Sequence, residues 1–298
     1  MLFKLFEYRM TTPTPYGWFH IMWLIIIFTI TLLLILFAKK VSLKKYRLIM
    51  FIFWVITVIF EIIKQLQFSY SNDWKYQWYI FPFQLCSTIL YVLPLIFLIN
   101  PEKGKIRKAI FYSAVSFTGT FLFFGGFSSM FVPLTLFVQS TIINIQTMVH
   151  HGTQVIVGIY TFVYFKKELN NKFFLKGIPL LVLLTMVAVT LNETMIHFIP
   201  EDQTFNMFFI SRHFGSEITP FNYVLNNVPY PIFVLAYIVG FTIIGYIIYN
   251  VHYLIKKLTD KKKQAWFIKI MLIFLKKIHF YVIMVAATKP IVTRYKNY

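Results

Sequence analysis

Residues Trp18–Ala38 read WFHIMWLIIIFTITLLLILFA, a stretch without a single charge, and Lys39-Lys40 closes it directly. A helix gains 1.5 Å per residue, so about 20 apolar residues match the hydrocarbon thickness of a bilayer. The apolar core of a cleavable signal peptide is shorter, so this stretch is read as a first span. Further apolar stretches fall at about 48–66, 80–99, 109–125, 142–165, 174–198 and 229–251. The pattern predicts an all-α polytopic membrane bundle of seven transmembrane helices over residues 1–255, followed by a basic tail, 256–298.

Composition supports the same class. Hydrophobic residues make up 58% of the chain and charged residues 13%, too little polar surface to cover a string of soluble domains. The net charge of +19 would point to nucleic acid in a soluble protein. Here the basic residues gather in alternate loops, so no nucleic-acid partner is expected. Lys39, Lys40, Lys44, Lys45 and Arg47 follow the first span, Lys103, Lys105, Arg107 and Lys108 the third, and Lys166, Lys167, Lys172 and Lys176 the fifth. With the C-terminal residues, 24 of the 29 Lys and Arg lie on one side. Lys4, Arg9, Lys64, Lys75 and Arg212 fall on the other. The positive-inside rule then sets the N-terminus outside and the C-terminus in the cytoplasm of a multi-pass cell-membrane protein. Lys262, Lys269 and Lys276 recur every seven residues, which reads as an interfacial helix against anionic lipid.

The outer connections differ from the inner ones. Ser71–Tyr79 is aromatic and polar, as at the headgroup level. Gly125–Thr141 has no charge, and its Gly125-Gly126 pair and Pro133 are expected to break regular helix. It is read as interfacial or re-entrant. Pro82 and Pro94 are expected to bend the third span.

Ionisable groups inside spans are costly and by default suggest function. Those expected within spans are Glu61, Cys86, His150, His151, Glu193 and His197, all in the outer half, with Cys86 and His151 roughly 10–15 Å below the outer boundary at 1.5 Å per residue. His20 and His252, at span ends, read as interfacial. Plainer roles stand beside the functional ones. A lone buried cysteine is usually a small hydrophobe, a membrane histidine is often satisfied by a carbonyl, and Glu61 and Glu193 suit snorkelling to the interface. Gln84, Thr88, Asn144, Gln146 and Thr147 suit helix–helix hydrogen bonds. One cysteine allows no internal disulfide and leaves too little thiol for a structural zinc site, so neither metal nor cofactor is expected.

Several segments together carry a resemblance. Phe81-Pro82-Phe83-Gln84-Leu85-Cys86 resembles the Leu-Pro-Leu-His-Leu-Cys segment of YwaF-like bacterial integral membrane proteins, departing at Gln84, where that family commonly has histidine. Ile145–Val149, then His150-His151-Gly152, then the apolar run to Tyr160, is similar to the histidine-bearing fifth span of that family. Thr204–Phe209 is similar to its Asn-Tyr-Met-Phe-Leu segment. Phe221–Leu225 with Pro229-Tyr230-Pro231 is similar to its approach to the last span. The likeness covers roughly residues 15–255 and is carried by order and spacing. The same superfamily includes a eukaryotic transmembrane acyltransferase that moves acyl chains between phospholipids. Its proposed cysteine and histidine correspond to Cys86 and His151.

The resemblance implies lipid acyl transfer through a Cys86 thioester, with His151 as general base and phospholipids or lysophospholipids as partners. Glu193 or Glu61 would orient the base, His150 would support it, and Gln84, Gln146 or Asn206 would donate to the oxyanion. The same buried groups also suit a proton-coupled transporter or solute-binding membrane protein. The basic tail alone suits a non-catalytic membrane factor.

Overall fold

The computed structural model describes residues 2–38, 41–133 and 136–260. Among the described residues the fold is helical, with only an isolated bridge between Arg9 and Ser140. The helices are α1 (Trp18–Ala38), α2 (Leu43–Tyr70), α3 (Ile89–Leu98), α4 (Lys105–Phe117), α5 (Phe123–Phe131), α6 (Thr141–Tyr164), α7 (Asn171–Leu175), α8 (Ile178–Met195), α9 (Phe221–Asn227) and α10 (Tyr230–Asp260). Residues 1–251 form one compact unit and 252–298 a second. The basic segment expected over 256–298 lies outside the described residues from 261 onward.

Five helical stretches are long and apolar enough to cross a membrane: Trp18–Ala38, Leu43–Tyr70, Lys105–Phe131, Asn171–Met195 and Tyr230–Lys257. The two remaining apolar segments differ from these for separate physical reasons. The helix at Cys86–Leu98 is short because residues 81–85 are not helical. Helix α6 has 24 residues, about 36 Å at 1.5 Å each, but carries Asn144, Gln146, His150, His151 and Gln154. Seventeen of its 24 residues are buried, against five of 21 in α1. α1, α2, α5 and the π-helical turn Thr118–Leu122 pack around it. Protein therefore takes the place of lipid on most of its surface, which is where polar side chains are tolerated at membrane depth.

Glycine makes that packing close. A Cβ on Gly152 of α6 would lie 2.4 Å from the Ile27 Cδ1 of α1, and one on Gly158 would lie 2.6 Å from the Phe123 Cβ. The Gly125-Gly126 pair, expected to break the helix, lies within α5, which runs on to Phe131. A Cβ on Gly126 would meet the Gln154 Cβ at 2.5 Å and the His151 backbone oxygen at 2.6 Å. The pair serves close helix approach, the role small residues have in membrane bundles.

Pro94 lies inside α3 and has no N–H to give the Leu90 carbonyl. The Trp54 indole donates to that carbonyl at 2.9 Å instead. At the end of α3, Arg47 donates to the carbonyls of Ile96 (3.3 Å) and Phe97 (2.7 Å), where a helix leaves acceptors unpaired and favours a cation. His20, expected at the interface, is fully buried. Its Nδ1 accepts from the Tyr16 N–H at 3.0 Å and its Nε2 donates to the Met130 carbonyl at 2.9 Å, so it ties α1 to α5.

Candidate functional site

The site begins with the backbone ahead of Cys86. Pro82 prevents regular helix in this stretch, and the chain enters helical geometry only at the 3-10 turn Cys86–Thr88. A non-helical segment at membrane depth needs partners for its carbonyls. Here side chains supply them. Gln65 Nε2 donates to the Ile80 carbonyl at 3.0 Å, the Tyr91 hydroxyl to Pro82 at 3.0 Å, and the Thr88 hydroxyl to Leu85 at 2.6 Å. The Cys86 carbonyl receives Gln154 Nε2 at 3.0 Å, and His150 Nε2 lies 3.3 Å from it. Both partners of Cys86 come from α6, one turn apart, as i and i+4 residues on one helix face.

A carbonyl only accepts, so His150 Nε2 carries the hydrogen and Nδ1 keeps a lone pair. The plainer role for a membrane histidine, satisfaction by a carbonyl, is therefore the contact His150 makes. His151 stands beside it, with ring centroids 5.4 Å apart and planes at 85°. Among the described residues no hydrogen bond holds the His151 ring, and none joins it to Cys86. Cys86 itself is partly buried. A Cβ on Gly125 would lie 3.6 Å from the Cys86 Cα and 3.3 Å from Gln154 Oε1, so α5 closes one side of the site.

The C-terminal half of α2 carries a further polar group. Glu61 is 6% exposed and its Oε1 accepts from Gln65 Nε2 at 2.6 Å and from Lys64 Nζ at 2.8 Å. It is held inward in an ion pair, where snorkelling would have taken it out. In the loop beyond α2, burial pushes the Tyr76 phenol up to about 12, and the Glu61 carboxylate acts in the same direction.

The remaining candidates separate. Gln84 Nε2 donates to the Asn206 carbonyl at 2.8 Å, tying the pre-Cys86 segment to the 204–211 loop. Phe83 stacks on Phe208 there, with centroids 5.6 Å apart. The Asn206 side chain is used within that loop, donating to the Gly215 carbonyl at 2.8 Å and accepting from the Ser211 N–H at 2.9 Å. Gln146 is buried on α6, with no hydrogen bond among the described residues. Glu193 pairs with Arg212 and lies 3.4 Å from His213 Nε2. Among the described residues no hydrogen bond or ion pair joins Glu193 or Glu61 to His151.

The 204–211 loop is itself under strain. Phe208 and Phe209 both have positive φ (59° and 53°), unusual for bulky residues. Three side chains hold it. Asn192 makes a two-point bond to Met207, accepting at 2.7 Å and donating at 3.0 Å. The hydroxyls of Tyr237 and Tyr230 donate to the carbonyls of Phe208 (3.1 Å) and Ile210 (3.0 Å). Sequence reasoning missed Gln154, Gln65, Asn192 and the inward role of Lys64. The signal for Gln154 was its i+4 spacing from His150. For Lys64 it was the i+3 spacing from Glu61.

Several buried polar atoms near Cys86 make no hydrogen bond within the chain: Glu61 Oε2, Gln65 Oε1, Gln84 Oε1, Gln154 Oε1 and the Nδ1 atoms of His150 and His151. An unpaired buried polar atom carries a cost of about 1–3 kcal/mol, which makes this group of atoms the candidate site. Among the described residues no group of three or more His, Cys, Asp or Glu side chains is arranged to hold a metal ion.

The model of the TMEM164 family matches residues 15–249, which span the whole helical site. The chain therefore belongs to the TMEM164 family of transmembrane proteins and is a multi-pass membrane protein. No curated protein and no solved structure matches it.

Proposed function

We propose, from membership of the TMEM164 family and the geometry around Cys86, that this protein is a lipid acyltransferase of the cell membrane. The observation that carries the reading is convergence. One helix brings His150 and Gln154 to the Cys86 carbonyl, with His151 beside His150, and the segment they hold leads into the chain's one thiol. The likeness to YwaF-like proteins and to a eukaryotic transmembrane phospholipid acyltransferase points the same way.

The proposed reaction has two halves. The Cys86 thiol gives its proton to His151 as sulfur bonds to the acyl carbon of a phospholipid ester. The ester C–O bond breaks, and the glycerol oxygen leaves with the proton from His151. A lysophospholipid hydroxyl then gives its proton to His151 and attacks the thioester, and the thiolate leaves and is reprotonated. His150 is a positioning residue in this scheme, since its Nε2–H holds the Cys86 backbone. His151, whose ring makes no hydrogen bond among the described residues, is the base. Gln154 and Gln84, whose amide nitrogens each retain one N–H, are the nearest candidates for the oxyanion.

The same reading takes all seven apolar segments as spans, with the N-terminus outside and the C-terminus cytoplasmic. The lysines beyond residue 256 then meet anionic lipid.

The test is transfer of a labelled acyl chain from phospholipid to lysophospholipid in vesicles holding the purified protein. Cys86→Ser should abolish transfer at unchanged expression, and His151→Ala should slow it by about 10²–10⁴-fold. A hydroxylamine-sensitive acyl label on Cys86 should appear in the wild type. Full activity in either variant sinks the thioester mechanism.

A further inference from the structure

We propose that Lys64 is the anion-binding residue of this site, taking the phosphate of the phospholipid whose acyl ester reaches Cys86. The proposal rests on the acyl-transfer reading for its substrate and goes beyond it in naming the group that recognises the headgroup.

The position is unusual for a lysine. α2 continues to Tyr70, so Lys64 lies within the helix and its side chain is only 16% exposed. Glu61, Lys64 and Gln65 are i, i+3 and i+4, one face of α2. Gln65 ties that face to the 3-10 turn Trp78–Ile80, just ahead of the unwound segment, by donating to the Ile80 carbonyl, and Glu61 accepts from both Gln65 and Lys64. An ion pair taken out of water recovers its desolvation cost only with good geometry and further hydrogen bonds. This pair is incomplete on both sides. Glu61 Oε2 is buried with no partner, and Lys64 makes one ion pair with an ammonium that has three N–H donors. Ionisable groups of this kind within membrane helices are a functional signal by default.

The choice of a phosphate follows from the donors the site has left. The unpaired atoms around Cys86 are oxygens, which repel an anion, or the Nδ1 atoms of two histidines. Gln65 Nε2 has both of its N–H groups committed, to Glu61 and Ile80, while Gln84 and Gln154 each keep one neutral N–H, which the proposed transfer assigns to the oxyanion. His150 Nε2 is directed at Cys86. Arg212 is half exposed and committed to Glu193. Lys64 is the cation on this face, and among the described residues its ammonium has two N–H donors beyond its ion pair with Glu61. The phosphate and the acyl esters of a phospholipid hang from one glycerol. A cation on the α2 face that Gln65 ties to the chain ahead of Cys86 is placed to meet the phosphate when the ester is at the sulfur. Glu61 holds Lys64 in place until the lipid arrives.

The experiment is a binding measurement on the purified full-length protein in detergent, carrying Cys86→Ser so that no transfer occurs. The probes are a fluorescent phosphatidylglycerol and the diacylglycerol with the same acyl chains and label. The protein should prefer the phospholipid. Lys64→Met should weaken phospholipid binding at least tenfold and leave diacylglycerol binding unchanged, while Lys64→Arg should keep the preference. Removing Lys64 alone strands a buried carboxylate, so Lys64→Met with Glu61→Gln is the companion variant, and it should show the same selective loss. No preference in the Lys64-containing protein, equal phospholipid binding by the double variant, or an equal loss for both lipids overturns the proposal. Because binding needs no chemistry, a protein that binds phospholipid through Lys64 yet transfers no acyl group breaks the acyltransferase reading alone. Transfer that proceeds unchanged in Lys64→Met breaks the role of Lys64 alone.

Discussion

Helices α1 and α6 are of similar length and touch each other through Ile27 and Gly152, yet they meet the membrane in opposite ways. α1 has a mean hydropathy of 2.9 over its most apolar window, and only 17% of that window is buried within the protein. α6 is too polar to register as an apolar span and is buried along most of its length. The solvent of α1 is lipid, which accepts side chains by apolarity and is indifferent to their shape. The solvent of α6 is protein, which accepts polar atoms given partners and is strict about volume. A long helix too polar to count as an apolar span is the one that carries the candidate site.

If that contrast is right, the largest effect comes from volume at the α5–α6 contact. Gly126→Ala puts a carbon about 2.5 Å from the Gln154 Cβ and against the His151 carbonyl, with backbone on one side of the clash. The expected cost is about 1–3 kcal/mol, read as a lowered unfolding midpoint in detergent. Gly125→Ala, whose nearest contact would be 3.3 Å to a side-chain oxygen, should cost clearly less. Equal stability of the two variants would mean that the α5–α6 approach is looser than described.

What could be read in the sequence follows the same division. α1 spans Trp18–Ala38, the stretch expected from apolarity alone, because nothing but lipid thickness sets its ends. α6 begins one residue before its expected start, and Val149-His150-His151-Gly152 was legible as a polar break within it. The unwound stretch before Cys86 was legible only as a bend at Pro82. Its support comes from Gln65, Tyr91, His150 and Gln154, and pairing across the bundle leaves no local pattern. The Gly125-Gly126 pair read as a helix break, since a glycine in sequence does not reveal whether it serves a turn or a close contact. Lys64 counted as an outer charge because apolarity fades near residue 66, whereas helical hydrogen bonding continues to Tyr70. Glu193 shared the expected depth of the site and Asn206 was an oxyanion candidate, but their partners Arg212 and Gly215 lie in the long 199–228 connection, whose path no periodicity predicts.

A second, smaller effect concerns polar partners and should be non-additive. Gln154→Leu leaves the Cys86 carbonyl with His150, and His150→Leu leaves it with Gln154. Each single change should cost about 1 kcal/mol, the net worth of one hydrogen bond. The double change strands the carbonyl without a donor and should cost more than the sum by about 1 kcal/mol or more, as coupled partners do. Unfolding midpoints of the four proteins close the cycle. Strict additivity would mean that the two side chains do not share the Cys86 carbonyl.

The smallest effect should come from the lipid face of α1. Leu33 is 50% exposed within the chain, so lipid replaces protein around it. Leu33→Ala removes no packed neighbour, leaves no cavity and orphans no polar atom, and the unfolding midpoint should stay within about 0.5 kcal/mol of the wild type. The matching change on the buried face, Ile27→Ala, opens space opposite Gly152 and should cost several-fold more. A Leu33→Ala loss as large as that of Ile27→Ala would show that a further protein surface, and not lipid, covers α1. The contrast between the two helices would then be one of which partner each has, and the choice of lipid or protein as solvent would no longer explain it.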